Sequence, residues 1–248
     1  MSTTDGQTIL AAEAARVGVT LDATARERFA AYEALIIEWN DRAGLTTVAD
    51  SEGIQRRHFG EALALLAALR TAGVLPTGAA TTLVDLGTGG GFPGLPMRIA
   101  EPALRLTLVE SNGKKCAFLQ AAVAALGLDG VEVVQARAED AGRSPLLRER
   151  FDVAVARALA AMPVLVEYAV PLLRPGGVLA SPKGSRALDE LEAARGAIAA
   201  LGAEAMPPLS LSLPEDAPPQ LVLLVRRVGA LDARYPRRAG VPSRQPLG

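Results

Sequence analysis

Two hydrophobic rhythms divide the chain. In the first part apolar positions recur at helical spacing: Phe29, Tyr32, Ile36 and Trp39 fall three and four residues apart and form one stripe on a helix. Leu63, Leu65, Leu66 and Leu69 make a second apolar stretch, closed by Gly73 and Pro76. Residues 8–75 are therefore expected to be helical, and 1–78 to form a helical cap ahead of the main fold. From residue 82 the pattern changes. Short apolar runs at 82–86, 105–110, 131–135, 151–156 and 177–181 alternate with helix-like stretches around 94–100, 114–126, 139–149, 162–173 and 187–201. Near-continuous apolar strands separated by helices predict a parallel sheet covered on both faces. Two further runs, 209–213 and 220–227, have no helix between them and are expected to pair antiparallel. The expected class is α/β: a seven-stranded, doubly wound, Rossmann-like sheet over 79–230, with the helical cap before it and a tail, 231–248, after it, all in one compact domain.

Composition narrows the chemistry. With 50% hydrophobic and 21% charged residues over 248 positions, the chain is globular rather than disordered. Cys116 is the only cysteine and His58 the only histidine, which removes a disulfide framework and leaves no basis for a metal site or a Ser-His-Asp triad. No apolar run approaches the roughly 20 residues that span a bilayer, and Met1–Gln7 lacks the pattern of a secretory signal, so the cytoplasm is the expected location. The net charge is −1, yet residues 226–248 carry six arginines against Asp232, a local +5 that leaves −6 for residues 1–225. Such asymmetry suits a tail that docks on a polyanion, and equally a solvated terminus.

The most informative segment runs from Leu83 to Gly94, with five glycines in the eight positions 87–94. A strand ending at Asp85 feeds a loop whose glycines permit positive φ and close approach of a ligand, at the strand ends where open α/β sheets bind. The segment fits GxGxxG, but a dinucleotide's pyrophosphate would face the Asp85 carboxylate, and Pro93 and Pro96 remove amide donors that a phosphate needs. A cationic, phosphate-free nucleoside, S-adenosylmethionine, suits the loop better; its expected contacts include Asp85, Gly87, Gly89, Gly91 and Phe92. Glu110 ends the second strand, 23 residues past Gly87, where an acid can accept ribose hydroxyls. Arg137-Ala138-Glu139-Asp140 follows the third strand and is expected to close over the adenine.

Together these segments resemble the glucose-inhibited division protein B family of bacterial 16S rRNA 7-methylguanine methyltransferases. The resemblance rests on Trp39-Asn40 with Leu45-Thr46, Arg57-His58-Phe59, the run from Asp85 to Pro96, Gly113-Lys114-Lys115, Arg137-Ala138-Glu139, Ala156-Arg157-Ala158, Lys183-Gly184, and Tyr235-Pro236-Arg237-Arg238-Ala239-Gly240 with Pro242. It covers residues 35–245 nearly continuously. The chain departs from the family pattern at Gly44, at Glu61-Ala62 and around Pro182. The resemblance implies a seven-stranded methyltransferase sheet and transfer of a methyl group from S-adenosylmethionine, leaving S-adenosylhomocysteine, to N7 of one guanine in the 16S rRNA of the small ribosomal subunit. It also implies cofactor contacts at Gly87, Phe92, Ala138, Glu139 and Arg157.

Guanine N7 has a free lone pair and no proton to lose, so the reaction needs alignment rather than a general base. No residue is therefore expected to act as base, and Arg157 and Lys183 are the candidates for positioning the acceptor. Lys114, Lys183, Arg237 and Arg238 are the expected RNA contacts. His58 fits an RNA contact, a cover for the cofactor or a core histidine; Tyr32 and Trp39 read as packing residues and Cys116 as buried and inert. Two other readings stand beside this one: an NAD(P)-binding oxidoreductase, although Tyr168 lacks a lysine four residues on, and a non-catalytic rRNA-binding assembly protein using the arginine-rich tail.

Overall fold

The computed structural model describes residues 3–48 and 50–247. The helical part comprises α1 (Thr3–Arg16), α2 (Ala23–Ala43), a single turn α3 (Ser51–Gly53), a π-helical segment Ile54–Gly60 and α4 (Glu61–Thr71). Asp22 caps α2 by accepting from the Ala25 amide at 2.7 Å. Gly44 ends α2 in the left-handed conformation at φ 60°. The resembled family usually has asparagine here, the other residue that enters this region readily, so the departure at Gly44 keeps the same helix end.

The remainder alternates as expected: β1 (Thr82–Leu86), α5 (Gly94–Ala100), β2 (Arg105–Glu110), α6 (Gly113–Ala125), β3 (Val131–Gln135), α7 (Ala138–Arg143), β4 (Phe151–Val155), α8 (Met162–Ala169), β5 (Leu173–Lys183), α9 (Ala187–Ala193), α10 (Arg195–Ala200), β6 (Ala203–Ser210), β7 (Leu221–Arg227) and α11 (Val241–Arg244). The seven strands form one sheet in the order β3-β2-β1-β4-β5-β7-β6. The first five are parallel, and β7 pairs antiparallel with both β5 and β6.

Two boundaries differ from expectation for identifiable reasons. The strand expected at 209–213 lies at Ala203–Ser210, because antiparallel pairing with β7 begins at Ala203 opposite Arg227 and slips between Met206 and Leu209. Pro207 and Pro208 sit at that slip, on an edge strand, where a missing amide donor is tolerated. The helix expected over 139–149 stops at Arg143, and Glu149 turns back at φ 59° to join β4.

Strand residues alternate between two cores. Leu83 faces the first, with α5, α6 and the helical cap; Val84 and Leu86 face the second, with α7 to α10. Phe29, Tyr32, Ile36, Phe59 and Leu63 have no exposed surface and share the first core with Leu106 and Leu108. At about 1.5–3 kcal/mol for each large side chain buried, this contact makes the cap one wall of the sheet rather than an appendage.

Candidate active site

The order of the strands reverses direction at β1, which has β2 on one side and β4 on the other. Loops leaving the carboxyl ends of neighbouring strands part there and open a crevice. A cleft of about 490 Å³ occupies it, floored by Gly87, Val109 and Ser111 and walled by Ala136–Glu139, Leu159–Ala161 and Tyr168. That volume lies within the usual range for a small-molecule site, ~300–1,000 Å³. Gly87 is at φ 63°, the left-handed region that favours glycine, and a Cβ there would displace the Leu159 side chain, whose Cδ1 would stand 2.5 Å away.

Glutamates 110 and 139 organise the walls. Glu110 accepts from the Gly89 amide at 3.0 Å and the Asn112 amide at 2.8 Å, clamping the β1 loop to the β2 loop. Neither Glu110 nor Gly89, both expected contacts, lines the cleft itself, because their bond to each other is the clamp behind it. Glu139 is buried, lines the cleft and accepts from the Gly240 amide at 2.8 Å. Burial, with Glu139 beside it, pushes the Tyr168 hydroxyl above its ordinary pKa.

Several expected contacts have other tasks. Asp85 has no exposed surface: its Oδ2 accepts from Thr88 Oγ1 at 2.7 Å and from the Gly94 amide at 2.8 Å, so it ties the loop from behind instead of facing the ligand. Burial pushes its carboxyl up to about 7, against those hydrogen bonds and the charge of Arg157, and Oδ1 has no partner. The shortness of the tie explains the correction, because Gly94 lies so close that a Cβ there would stand 2.9 Å from Oδ2. Gly91 at φ 95° faces Leu95 and the Tyr32 hydroxyl, which donates to the Gly90 carbonyl. Phe92 is likewise turned from the cleft; its ring packs between Tyr32 and His58.

Arg157 lines a second, adjoining cavity of about 650 Å³ rather than the cleft itself. It donates to the Arg57 carbonyl at 2.8 Å, pairs with Glu61 at 3.3 Å and contacts His58 Nδ1 at 3.0 Å, with its guanidinium 5.5 Å above the Phe92 ring. Burial lowers its pKa. Burial first, then the charges of Arg157 and Arg57, hold His58 down at about 3, so its ring is neutral. Lys183 lines the same cavity, but Nζ is spent on the Ala160 carbonyl at 2.7 Å and Glu190 at 2.8 Å, which makes it a brace for the loop that walls the cleft.

The tail needs the largest correction. Arg237, a quarter exposed, is not free as an RNA contact would be: its guanidinium and its amide hold Glu167, which has no exposed surface, through bonds of 2.6 to 3.1 Å. Residues 231–247 thereby fold back so that Gly240, Ser243 and Pro246 complete the cleft wall. Arg227 is buried, donating to the Leu173 carbonyl and to Glu149. The charge count misled because it could not tell paired arginines from free ones. Arg238 and Lys114 are exposed, and no side-chain bond or ion pair engages either among the described residues. Ser111, Leu159–Ala161 and the tail's share of the wall carry no signal in the sequence, and Tyr168 is noticed there only for the oxidoreductase reading. Ala158 at φ 56° turns the loop before Leu159, and no glycine signals it.

The cleft, glycine-floored and walled by a buried glutamate, matches no single enzyme class by shape alone. The model of the family described as rRNA small subunit methyltransferase G matches residues 25–213. The chain belongs to that family. Ribosomal RNA small subunit methyltransferase G of Roseiflexus sp. (strain RS-1) is 45% identical over 93% of this chain and 95% of its own length. That of Desulfitobacterium hafniense (strain Y51) is 38% identical over 94% and 93%. Among solved structures, MtNAS in complex with MTA and tNA has a TM-score of 0.54 at 16% identity, over 82% of this chain and 74% of that one. A predicted O-methyltransferase of Agrobacterium tumefaciens, Atu636, has 0.51 at 20%, over 68% and 81%. These two share the fold. Membership of the small subunit methyltransferase family bears out the S-adenosylmethionine-dependent rRNA methyltransferase expected from the sequence, and not the dehydrogenase.

Proposed function

We propose that this chain methylates N7 of one guanine in 16S rRNA, with S-adenosylmethionine seated in the cleft over Gly87 and the acceptor base entering the adjoining cavity beside Arg157. The observation that carries the cofactor's seat is the pairing of a glycine floor at φ 63° with the buried Glu139 wall. The lining suits a cationic nucleoside: the buried Glu139 faces the space, and among the described residues the one cation on the lining is the exposed Arg137.

Bound there, S-adenosylmethionine would supply a methyl group on a sulfonium; guanine N7 brings a free lone pair and no proton, so this chain has no base to provide. The protein's own contribution is orientation. Gly87 lets the ligand lie close to the β1 strand end, and Glu110 locks the Gly89 amide so that the loop holds one shape. The Lys183 brace fixes Ala160 at the border of the two cavities. Lys114 and Arg238, both exposed, would meet rRNA phosphates. Because the proposed substrate is ribosomal RNA, we place this work in the cytoplasm, on the small subunit or its rRNA.

Calorimetric titration with S-adenosylhomocysteine and with NAD tests the seat. The homocysteine ligand is expected to bind the native chain and to lose at least tenfold in affinity to Glu139→Ala, while NAD gives no heat. Binding of NAD in preference would overturn the proposal.

A further inference from the structure

The Thr46 hydroxyl is held at the rim of the acceptor cavity by an unusually complete set of bonds. Asn40 Oδ1 accepts from the Leu45 and Thr46 amides at 2.9 and 3.0 Å, and Asn40 Nδ2 donates to the Thr46 carbonyl at 3.0 Å, so the turn after α2 is pinned from both sides. Thr46 Oγ1 lies 2.7 Å from His58 Nε2 and accepts from the Val48 amide at 3.0 Å. On its other side the His58 ring stacks on Phe92 at 4.3 Å between centroids, and its Nδ1 meets the Arg157 guanidinium at 3.0 Å.

The polarity of this chain is forced. A guanidinium has only donors, so Nδ1 must present its lone pair to Arg157. The neutral ring then carries its proton on Nε2, which donates to Thr46 Oγ1. With the Val48 amide donating as well, both lone pairs of that oxygen are filled. What is left is the hydroxyl proton, which finds no acceptor among the described residues. Thr46 lines the cavity together with His58, Arg157 and Lys183. It is a neutral donor that cannot reverse into an acceptor without breaking the chain behind it.

We infer that Thr46 is a specificity-determining residue that donates its hydroxyl proton to O6 of the guanine whose N7 is methylated. This rests on the acceptor reading proposed above. Guanine presents O6, an acceptor, next to N7, whereas adenine presents a donor amine at that place. A donor fixed in one direction therefore accepts guanine and opposes adenine. An arginine, the commonest reader of guanine's O6 and N7 edge, would donate to N7 and occupy the lone pair that must accept the methyl group. A hydroxyl at O6 leaves it free. Arg157, already held by Glu61 and Arg57, acts as the anchor that sets the direction.

The test compares 16S rRNA bearing guanine or 2-aminopurine, which keeps N7 but lacks O6, at the mapped target, with the native enzyme and with Thr46→Val and Thr46→Ser. Loss of one neutral hydrogen bond corresponds to about 3- to 10-fold in kcat/KM. The native enzyme and Thr46→Ser are expected to lose that factor on 2-aminopurine. Thr46→Val is expected to be slowed by a similar factor on guanine and to lose nothing further on 2-aminopurine, with its affinity for S-adenosylhomocysteine unchanged. Equal discrimination by Thr46→Val and native enzyme overturns the inference. So does a native enzyme indifferent to O6, a result that needs no variant to fold. Should the native enzyme place no methyl on N7 of guanine at all, it is the acceptor reading that fails.

Discussion

Replacing Arg237 by alanine is expected to unfold the cleft wall from a distance. Glu167 has no exposed surface and takes four bonds from Arg237, one from the amide and three from the guanidinium. Arg237→Ala keeps the amide but removes the charge partner, leaving a carboxylate with no compensating cation in a dry interior. Breaking a buried pair from one side costs about 3–5 kcal/mol. For a chain of this size 1 kcal/mol moves the melting temperature about 2–4 °C, so a fall of roughly 6–20 °C is expected. The anchor also sets the run Gly240–Pro246 against the cleft, so affinity for S-adenosylhomocysteine is expected to fall with stability. Glu167→Met combined with Arg237→Ala removes both charges together and is expected to recover much of the melting temperature, because the penalty lies in the orphaned charge. Arg238→Ala, next in sequence but exposed, is the control and is expected to change stability by less than about 0.5 kcal/mol. Differential scanning calorimetry decides. If Arg237→Ala melts with the native chain, the tail is not an anchored wall and the reasoning fails.

Other substitutions test other parts. Gly87→Ala must hold φ 63° with a side chain and displace Leu159; a loss of about 1–2 kcal/mol in stability and of cofactor affinity beyond tenfold is expected by titration. Asp85 ionises at about 7 in the folded chain against ~3.9 unfolded, so it favours folding below pH 4 and that contribution is lost as pH rises to 7. Asp85→Asn is accordingly expected to gain on the native chain, by about 4 kcal/mol at most, between pH 4 and 7 in urea melts; parallel curves would contradict the burial argument. Lys114→Ala is expected to weaken rRNA binding without moving the melting temperature, lowering the slope of log affinity against log salt by about 1. An unchanged slope removes Lys114 from the interface.

Much of the fold was legible because the strands inside the sheet carry apolar runs, which the edge strand β6 lacks, and because the cap's stripe from Phe29 to Trp39 has an unbroken helical period. Strand phase alone brings Gly87 and Glu139 to the cleft lining, whereas Gly89 and Glu110, expected beside them, bond to each other and do not line it. The orientation of side chains could not be read that way. Whether Asp85 faces ligand or core depends on a 2.8 Å bond to Gly94, nine residues away, which no local pattern encodes. Arg237 and Arg238 are identical neighbours in sequence, yet one meets Glu167 across 70 residues and the other meets solvent. Thr46 was visible only as part of a motif, since its role depends on His58 and Arg157 lying end to end.

The claim that N7 of one guanine in 16S rRNA receives the methyl group is tested most directly by incubating small subunits with methyl-labelled S-adenosylmethionine and the native chain, then mapping the modified nucleotide and its site. The account predicts label on a single guanine, at N7, detected as cleavage specific to 7-methylguanine. Label at another atom or on another base, or rRNA that is bound but never labelled, would contradict it.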